Sequence, residues 1–453
     1  MDPVVGEPMD PESREYERTH PHISFSLDLR RASPSLWILL GEAKSKSQHV
    51  ARTLLAPDRA HELMVVYLTK GALATTAIEG NTLSEDEARK VVEETSELPP
   101  SKEYLAQEIR NVIAAYNAIK NELLQNPSIK VSPERLDRYN AMILEGLQVE
   151  DHVVPGETRR TGVVVGNVYK APDHEDCKYL VERLCEWLNG PDFQAPVAKP
   201  EYRGPLAILK AMVAHLYLAW IHPYGDGNGR TARLLELELL LAAGFPPPVT
   251  QLLSNHYNAT RTEYYRQLKR ASETGDVMDF LTYAARGFVD ELTEQLDIVW
   301  RWQFDDRWEQ YVYQQFGELR TETNRRRLRL TLELSKHHPE SVARAEIPVL
   351  DPRLARAYAQ KTSKTLTRDL NAIRELGLIE RTPQGYRARK DIIRGFEPER
   401  IDGVLEKESM SLVQREPARA SIASLDTLGS AAAPENSQSD RDGETRPTQP
   451  VGA

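Results

Sequence analysis

Cysteine is nearly missing from this chain: Cys177 and Cys185 are the only two in 453 residues. So small a set excludes a disulfide scaffold and any Cys-based zinc finger or ribbon, and it fits a reducing compartment, so a cytoplasmic protein is expected. Long apolar runs are scarce as well. No stretch is expected to supply the roughly 20 apolar residues of a membrane-crossing helix. The acidic opening around Asp2, Glu7, Asp10 and Glu12 lacks the basic and apolar parts of a signal peptide, so neither secretion nor a membrane span is expected. Positive charge is also in deficit. A net charge of −10 argues against a surface that coats nucleic acid along its whole length.

What is present points to several helical domains. At roughly 150 residues per domain the length suggests about three, and 40% hydrophobic with 28% charged residues leaves room for polar tails. Residues 1–22 and 416–453 are Pro-, Ser- and charge-rich without period and are expected to be disordered. Between them apolar residues recur at three and four, as in Met64, Tyr67, Leu68 and Ala72, then Leu206, Leu209, Met212, Val213, Leu216 and Trp220. This spacing predicts a mainly α fold. Two short hairpins are expected, one containing Val163, Val164, Val165 and Gly166, the other pairing Leu378–Arg381 with Tyr386–Ala388 across a Thr-Pro-Gln-Gly turn. Boundaries are expected at Pro99–Pro100, at Asn126–Ser128 and in the Arg-rich run Arg325–Arg327. They suggest a helical segment over 23–130, a core over 131–300 and a module over 301–400. That last hundred holds 21 Lys and Arg against 15 Asp and Glu, a local excess of +6 in a chain whose remainder carries −16.

The residues that carry chemistry are concentrated in one loop. An apolar helix ends at His222-Pro223-Tyr224-Gly225-Asp226-Gly227-Asn228-Gly229-Arg230, and a second, from Thr231 to Leu241, follows at once. Three glycines let the backbone approach a ligand, and the start of the second helix offers unpaired N–H groups to an anion. Arg230 and Arg233, three apart, would share a face and reach phosphate oxygens. Asp226 is a hard oxygen ligand suited to Mg²⁺, and His222 at the entrance could take a proton from a hydroxyl.

His222 to Arg233 resembles the HxFx(D/E)GNGRxxR signature of the Fic-domain family, with Tyr224 where that family usually has Phe. The resemblance implies a Fic-type helical core with a short hairpin flap, and transfer of AMP from ATP onto a hydroxyl of a target protein or of the chain itself. It implies His222 as the base, Asp226 as the Mg²⁺ holder and Gly227, Asn228 and Gly229 around the α-phosphate. It further implies Arg230 and Arg233 on the outer phosphates, with Thr231 and Ala232 completing the nucleotide-binding run. Gly229 stands where a phosphorylating branch has Lys, which favours AMP transfer. Val163, Val164, Val165 and Gly166 resemble the flap that pairs with a target strand, and Tyr264-Tyr265 resembles the tyrosine pair near the base. Ser272 replaces an Asn found in some relatives.

Residues 58–79 read as one helix stopped by Gly80. Thr75 and Glu79 share a face, and a carboxylate in the last turn opposes the helix dipole. Thr75-x-x-x-Glu79-Gly80 resembles the (S/T)xxxE(G/N) inhibitory motif that accompanies Fic domains, which implies a Glu79–Arg233 ion pair at the γ-phosphate position; in some relatives the same Glu serves AMP removal. In the basic module, Leu366, Leu370, Ile373 and Leu376 form an apolar stripe between a short helix near 352–360 and the hairpin 378–389. That order resembles a winged helix, a module that either binds DNA, with Lys364 and Arg368 suited to a groove and Arg387, Arg389 and Lys390 to phosphates, or docks a protein and so recruits the target. Two readings compete: a Mg²⁺–ATP-dependent adenylyltransferase with a built-in brake, and a nucleotide-sensing transcription regulator. A homodimer is compatible with either.

Overall fold

The computed structural model describes residues 14–95, 98–127, 130–165, 169–317 and 321–394. The expected tail 416–453, residues 1–13 and Gly166 lie outside the described residues. Two compact units divide the chain, Met1–Gln315 and Phe316–Ala453. Helix predominates in both, as the spacing predicts.

The first unit begins with α1 (Glu15–Thr19), α2 (Pro34–Arg52), α3 (Pro57–Ala77), α4 (Glu85–Val92), α5 (Glu103–Gln125) and α6 (Pro133–Leu144). The hairpin β1 (Val164–Val165) and β2 (Tyr169–Lys170) follows, then α7 (His174–Leu188), α8 (Arg203–Ile221), α9 (Asn228–Ala242), α10 (Leu252–Ala259), α11 (Arg261–Thr274) and α12 (Met278–Phe316). Several starts are written locally. Ser33 accepts from Leu36 N ahead of Pro34, and Ser84 with Glu87 closes a capping box on α4. The expected disorder of residues 14–22 is corrected: Tyr16 and Ile23 are buried in the main core, and Arg14 pairs with Asp176 at 3.1 Å.

Helix α8 is buried almost all round, against α2, α7 and α9. By length and composition alone it could cross a membrane, which corrects the expectation that no stretch approaches that limit; its flanks are covered instead by the other helices of the core. Helix α9 packs on α8 and touches α3, α5 and α6. A second apolar cluster of Ala72, Leu83, Val91, Ala106, Ile109 and Val112 joins α3, α4 and α5. The two clusters together seat the end of α3 beside the start of α9. Helix α12 passes position 301 without a proline to interrupt it, so the boundary expected there moves to Gln315/Phe316.

The second unit contains α13 (Glu322–Ser335), α14 (Pro352–Tyr358), α15 (Ser363–Glu375) and the antiparallel pair β3 (Ile379–Arg381) and β4 (Tyr386–Ala388). Leu366, Leu370 and Ile373 are buried as the stripe predicts, whereas Leu376, past the helix end, is 39% exposed. Arg325–Arg327 is not a linker. It lies inside α13, where Arg326 and Arg327 each donate to the buried carboxylate of Asp369 at 2.8 Å and Tyr358 adds a third bond at 2.9 Å. Part of the basic excess therefore neutralises the unit's own interior. Lys390, expected on the surface of the wing, is buried, and Arg387 is paired with Glu380.

Candidate active site

The loop between α8 and α9 is pinned from three directions. His222 ends α8 at φ +49°, a left-handed conformation uncommon outside glycine, and its N–H still reaches Leu218 O at 3.0 Å. The buried guanidinium of Arg159 holds that conformation: Nε donates to His222 O at 2.9 Å, and the other nitrogens donate to Thr161 O and Pro172 O. Arg159 N also donates to Pro223 O at 2.8 Å. Asn228 then closes the loop on itself, accepting from Tyr224 N and donating to Tyr224 O, both at 2.8 Å. Asn140 of α6 donates to Asp226 O at 2.9 Å and accepts from Gly156 N. The hydroxyl that distinguishes Tyr224 from Phe finds a partner in Asp137, 2.9 Å away, as a buried phenol requires.

His222 is partly buried, with Nδ1 3.3 Å from Ala219 O. Because a carbonyl only accepts, Nδ1 carries the proton and the Nε2 lone pair is left to receive one. Burial, helped by the Arg159 cation, takes the imidazole down to about 4, so it is neutral at physiological pH. Gly227, at φ +77°, caps α9, and its N–H donates to Asp226 Oδ1 at 2.5 Å. The Asp226 side chain is 50% exposed. Among the described residues no group of three or more His, Cys, Asp or Glu side chains gathers as a metal cage.

The two arginines of α9 do not share a task. Arg233 turns toward α3: Nε donates to Thr75 Oγ1 at 2.7 Å, and Nη2 to Thr75 O at 2.9 Å and Glu79 Oε1 at 2.6 Å. Burial opposes charge on Glu79, but Arg233 outweighs it and leaves the carboxyl below the ordinary glutamate range. Glu79 lies in the turn just beyond α3 rather than inside its last turn, since Gly80 at φ +109° reverses the chain. A Cβ at Gly229 would collide with Glu79 Oε1, so this carboxylate sits directly on the first turn of α9. Arg230 turns the other way and donates to Glu108 of α5 at 2.8 Å and to Asp226 at 3.3 Å. The expectation that both arginines present one shared face is thereby corrected: Glu108, buried in α5, and Glu79, partly exposed in the turn after α3, draw them apart.

Other expected site residues divide similarly. Thr231 and Ala232 are fully buried, facing α6 and the core, and Thr231 Oγ1 accepts from Asn140, so neither side chain reaches a ligand. Tyr264 is buried in the core, its hydroxyl 2.9 Å from His215 Nε2. Tyr265 is 44% exposed and, with Arg261, reaches Ile78 O at the end of α3. Strands β1 and β2 pair Val164 with Lys170 and Val165 with Tyr169, and Val163 O accepts from Ala171 N. Val164 is exposed. Tyr169 and Lys170 line a cavity of about 590 Å³ together with His20, His22, Lys269 and Ser272. Arg159, Asn140, Asp137 and Glu108 are missed by sequence reasoning, because each lies more than 60 residues from the loop residue it holds and no local spacing marks it.

Part of the chain is similar to known proteins. Residues 130–240 match the family described as the Fic/DOC family. The chain is 32% identical over 216 residues to protein adenylyltransferase fic-1 of Caenorhabditis briggsae, covering 47% of this chain and 38% of that protein. It is 29% identical over 212 residues to protein adenylyltransferase Fic of Nematostella vectensis, covering 47% and 45%. The matched stretch thus spans less than half the length of either relative. A Fic family protein from Desulfovibrio desulfuricans G20 is similar in structure, with a TM-score of 0.49 at 20% identity over 82% of this chain and 100% of that one.

Proposed function

Because this chain carries a Fic/DOC family domain, we propose that it transfers AMP from ATP to a hydroxyl of a protein and that Glu79 restrains the reaction. The observation that carries the reading is His222, whose Nδ1 faces Ala219 O and so leaves Nε2 to accept, beside the glycine-rich start of α9. An acceptor hydroxyl gives its proton to His222 Nε2 while its oxygen attacks the α-phosphorus, and the bond to the β-phosphate breaks to release pyrophosphate. The backbone N–H groups of Asn228 and Gly229, at the first turn of α9, oppose the phosphate charge. Asp226 fits a Mg²⁺ ion, which favours one or two carboxylates plus substrate phosphates and would supply charge neutralisation. Arg159, which grips the His222 carbonyl, is a positioning residue.

The restraint follows from one position. Glu79 fills the space over Gly229 and engages Arg233, the cation otherwise aimed at an outer phosphate. ATP would have to displace it or bind out of line. With labelled ATP and Mg²⁺, Glu79→Gly should incorporate roughly ten-fold more label than the parent, and adding His222→Ala should remove it by at least about 100-fold. Equal labelling of parent and Glu79→Gly would sink the restraint, and labelling that survives His222→Ala would sink the base.

The second unit supports a separate role in duplex DNA binding. Lys364, Thr367, Arg368 and Arg374 are exposed on α15, opposite its buried Leu366, Asp369 and Ile373. Such a stripe suits a groove-entering helix. The full chain should bind mixed duplexes at low salt and lose affinity steeply as salt rises. Binding that ignores salt, or that survives Lys364→Ala with Arg368→Ala undiminished, would count against it.

A further inference from the structure

The reaction just described makes no use of Glu108, although this side chain is among the most expensive in the unit to bury. It is 5% exposed in the second turn of α5, whose other inward residues include Ile109, Val112 and Ala115. Both its oxygens are engaged: Oε1 accepts from Arg230 Nη1 and Oε2 from Asn81 Nδ2, each at 2.8 Å. Asn81 is itself buried and fixed by Leu105 O and Leu83 N. On the far side of Arg230, Nη2 stands 3.3 Å from Asp226 Oδ1. Two carboxylates therefore compete for one guanidinium. The buried one holds the shorter contact, and the half-exposed one keeps only a long one.

We propose that Glu108 is a positioning residue that holds Arg230 against α5 and so keeps Asp226 available to a divalent cation, with Asn81, two residues beyond Glu79, fixing Glu108 in turn. This rests on the reading of Asp226 given above. The reason is geometric and electrostatic. A buried guanidinium must be paired. Without the Glu108 charge, Asp226 is the carboxylate already in contact with Arg230, and arginine favours close, bidentate contact with carboxylates. Arg230 would then close on Asp226 and occupy the oxygens a cation needs. The chain Asn81–Glu108–Arg230–Asp226 also joins the segment bearing Glu79 to the cation position by a path that bypasses Arg233.

The test uses the full chain carrying Glu79→Gly, with Mn²⁺ as the probe, titrated by electron paramagnetic resonance in the presence of a non-hydrolysable ATP analogue. Glu108→Gln keeps the shape and loses the charge. It should weaken Mn²⁺ binding about ten-fold, the scale on which residues behind a metal ligand act, while binding of the analogue without metal is unchanged. Asn81→Ala should act in the same direction, at roughly three-fold. Excess Mg²⁺ should restore AMP transfer in both variants, a rescue that a merely structural lesion would not show. Unaltered Mn²⁺ affinity in Glu108→Gln overturns the proposal; if that variant does not fold, unaltered affinity in Asn81→Ala does so. If Asp226→Ala binds Mn²⁺ as well as the Glu79→Gly chain, the reading of Asp226 itself fails, and this inference with it.

Discussion

Arg230 and Arg233 stand three residues apart on the same helix and each faces a carboxylate, yet the two pairs differ in what surrounds them. Glu108 is buried in the second turn of α5 and held by Asn81, so its pair belongs to the fixed interior. The Glu79 side chain is 32% exposed in a turn and meets Arg233 over the first turn of α9. Position decides the use. A pair that water and an anion can reach can be exchanged, whereas a pair sealed between two helices can only hold them together. The carboxyls report the same contrast. Burial outweighs Arg230 at Glu108 and raises its pKa, while at Glu79 the Arg233 charge overcomes burial and lowers it.

The largest effect should come from breaking the sealed pair outright. Glu108→Ala takes from Arg230 its buried partner and from Asn81 its acceptor, a loss that closer contact with the half-exposed Asp226 offsets only in part, and should cost about 3–5 kcal/mol of stability. Glu79→Ala should cost no more than about 1 kcal/mol, because Thr75 still satisfies Arg233 and water reaches the gap. Denaturant unfolding of the two variants side by side checks the difference, and equal losses would remove the distinction. A smaller effect separates the pairs by pH. Glu79, with its pKa lowered on folding, contributes stability that is present above the unfolded value and lost as pH falls through the folded one. Glu108, with its pKa raised, does the reverse: its contribution is present below the unfolded value and lost as pH rises through the folded one. The stability gap between the parent and Glu79→Gln should therefore close as the solution is acidified below the ordinary carboxylate range. For Glu108→Gln, acidification should move the parent's stability in its own favour. Melting curves across the acid range test both signs.

The nine residues from His222 to Arg230 stand out in one sequence because a histidine, a carboxylate, three glycines and a cation fall within a single loop, and local spacing records that. Glu79 was singled out by the resemblance of Thr75-x-x-x-Glu79-Gly80 to a known motif, since a glutamate near a helix end is by itself ordinary. The roles of Arg159, Asn140 and Asp137 were not. Their contacts join segments 63, 86 and 87 residues away, and no periodicity encodes a partner at that distance. Tyr264 shows the converse: an aromatic pair by spacing, it is divided by the fold into one core residue and one exposed residue.

By itself, then, the sequence determined the helical architecture, the loop and its residue types, and the Thr75–Glu79 turn, because helix period, capping and glycine punctuation are properties of neighbours along the chain. Only the tertiary structure decided which arginine meets which carboxylate, which tyrosine is buried and where the basic run in α13 spends its charge. Those outcomes depend on what each helix faces once α3, α5 and α6 have closed around α9 and once α15 has brought Asp369 to α13. A buried charge takes the partner that packing brings within reach.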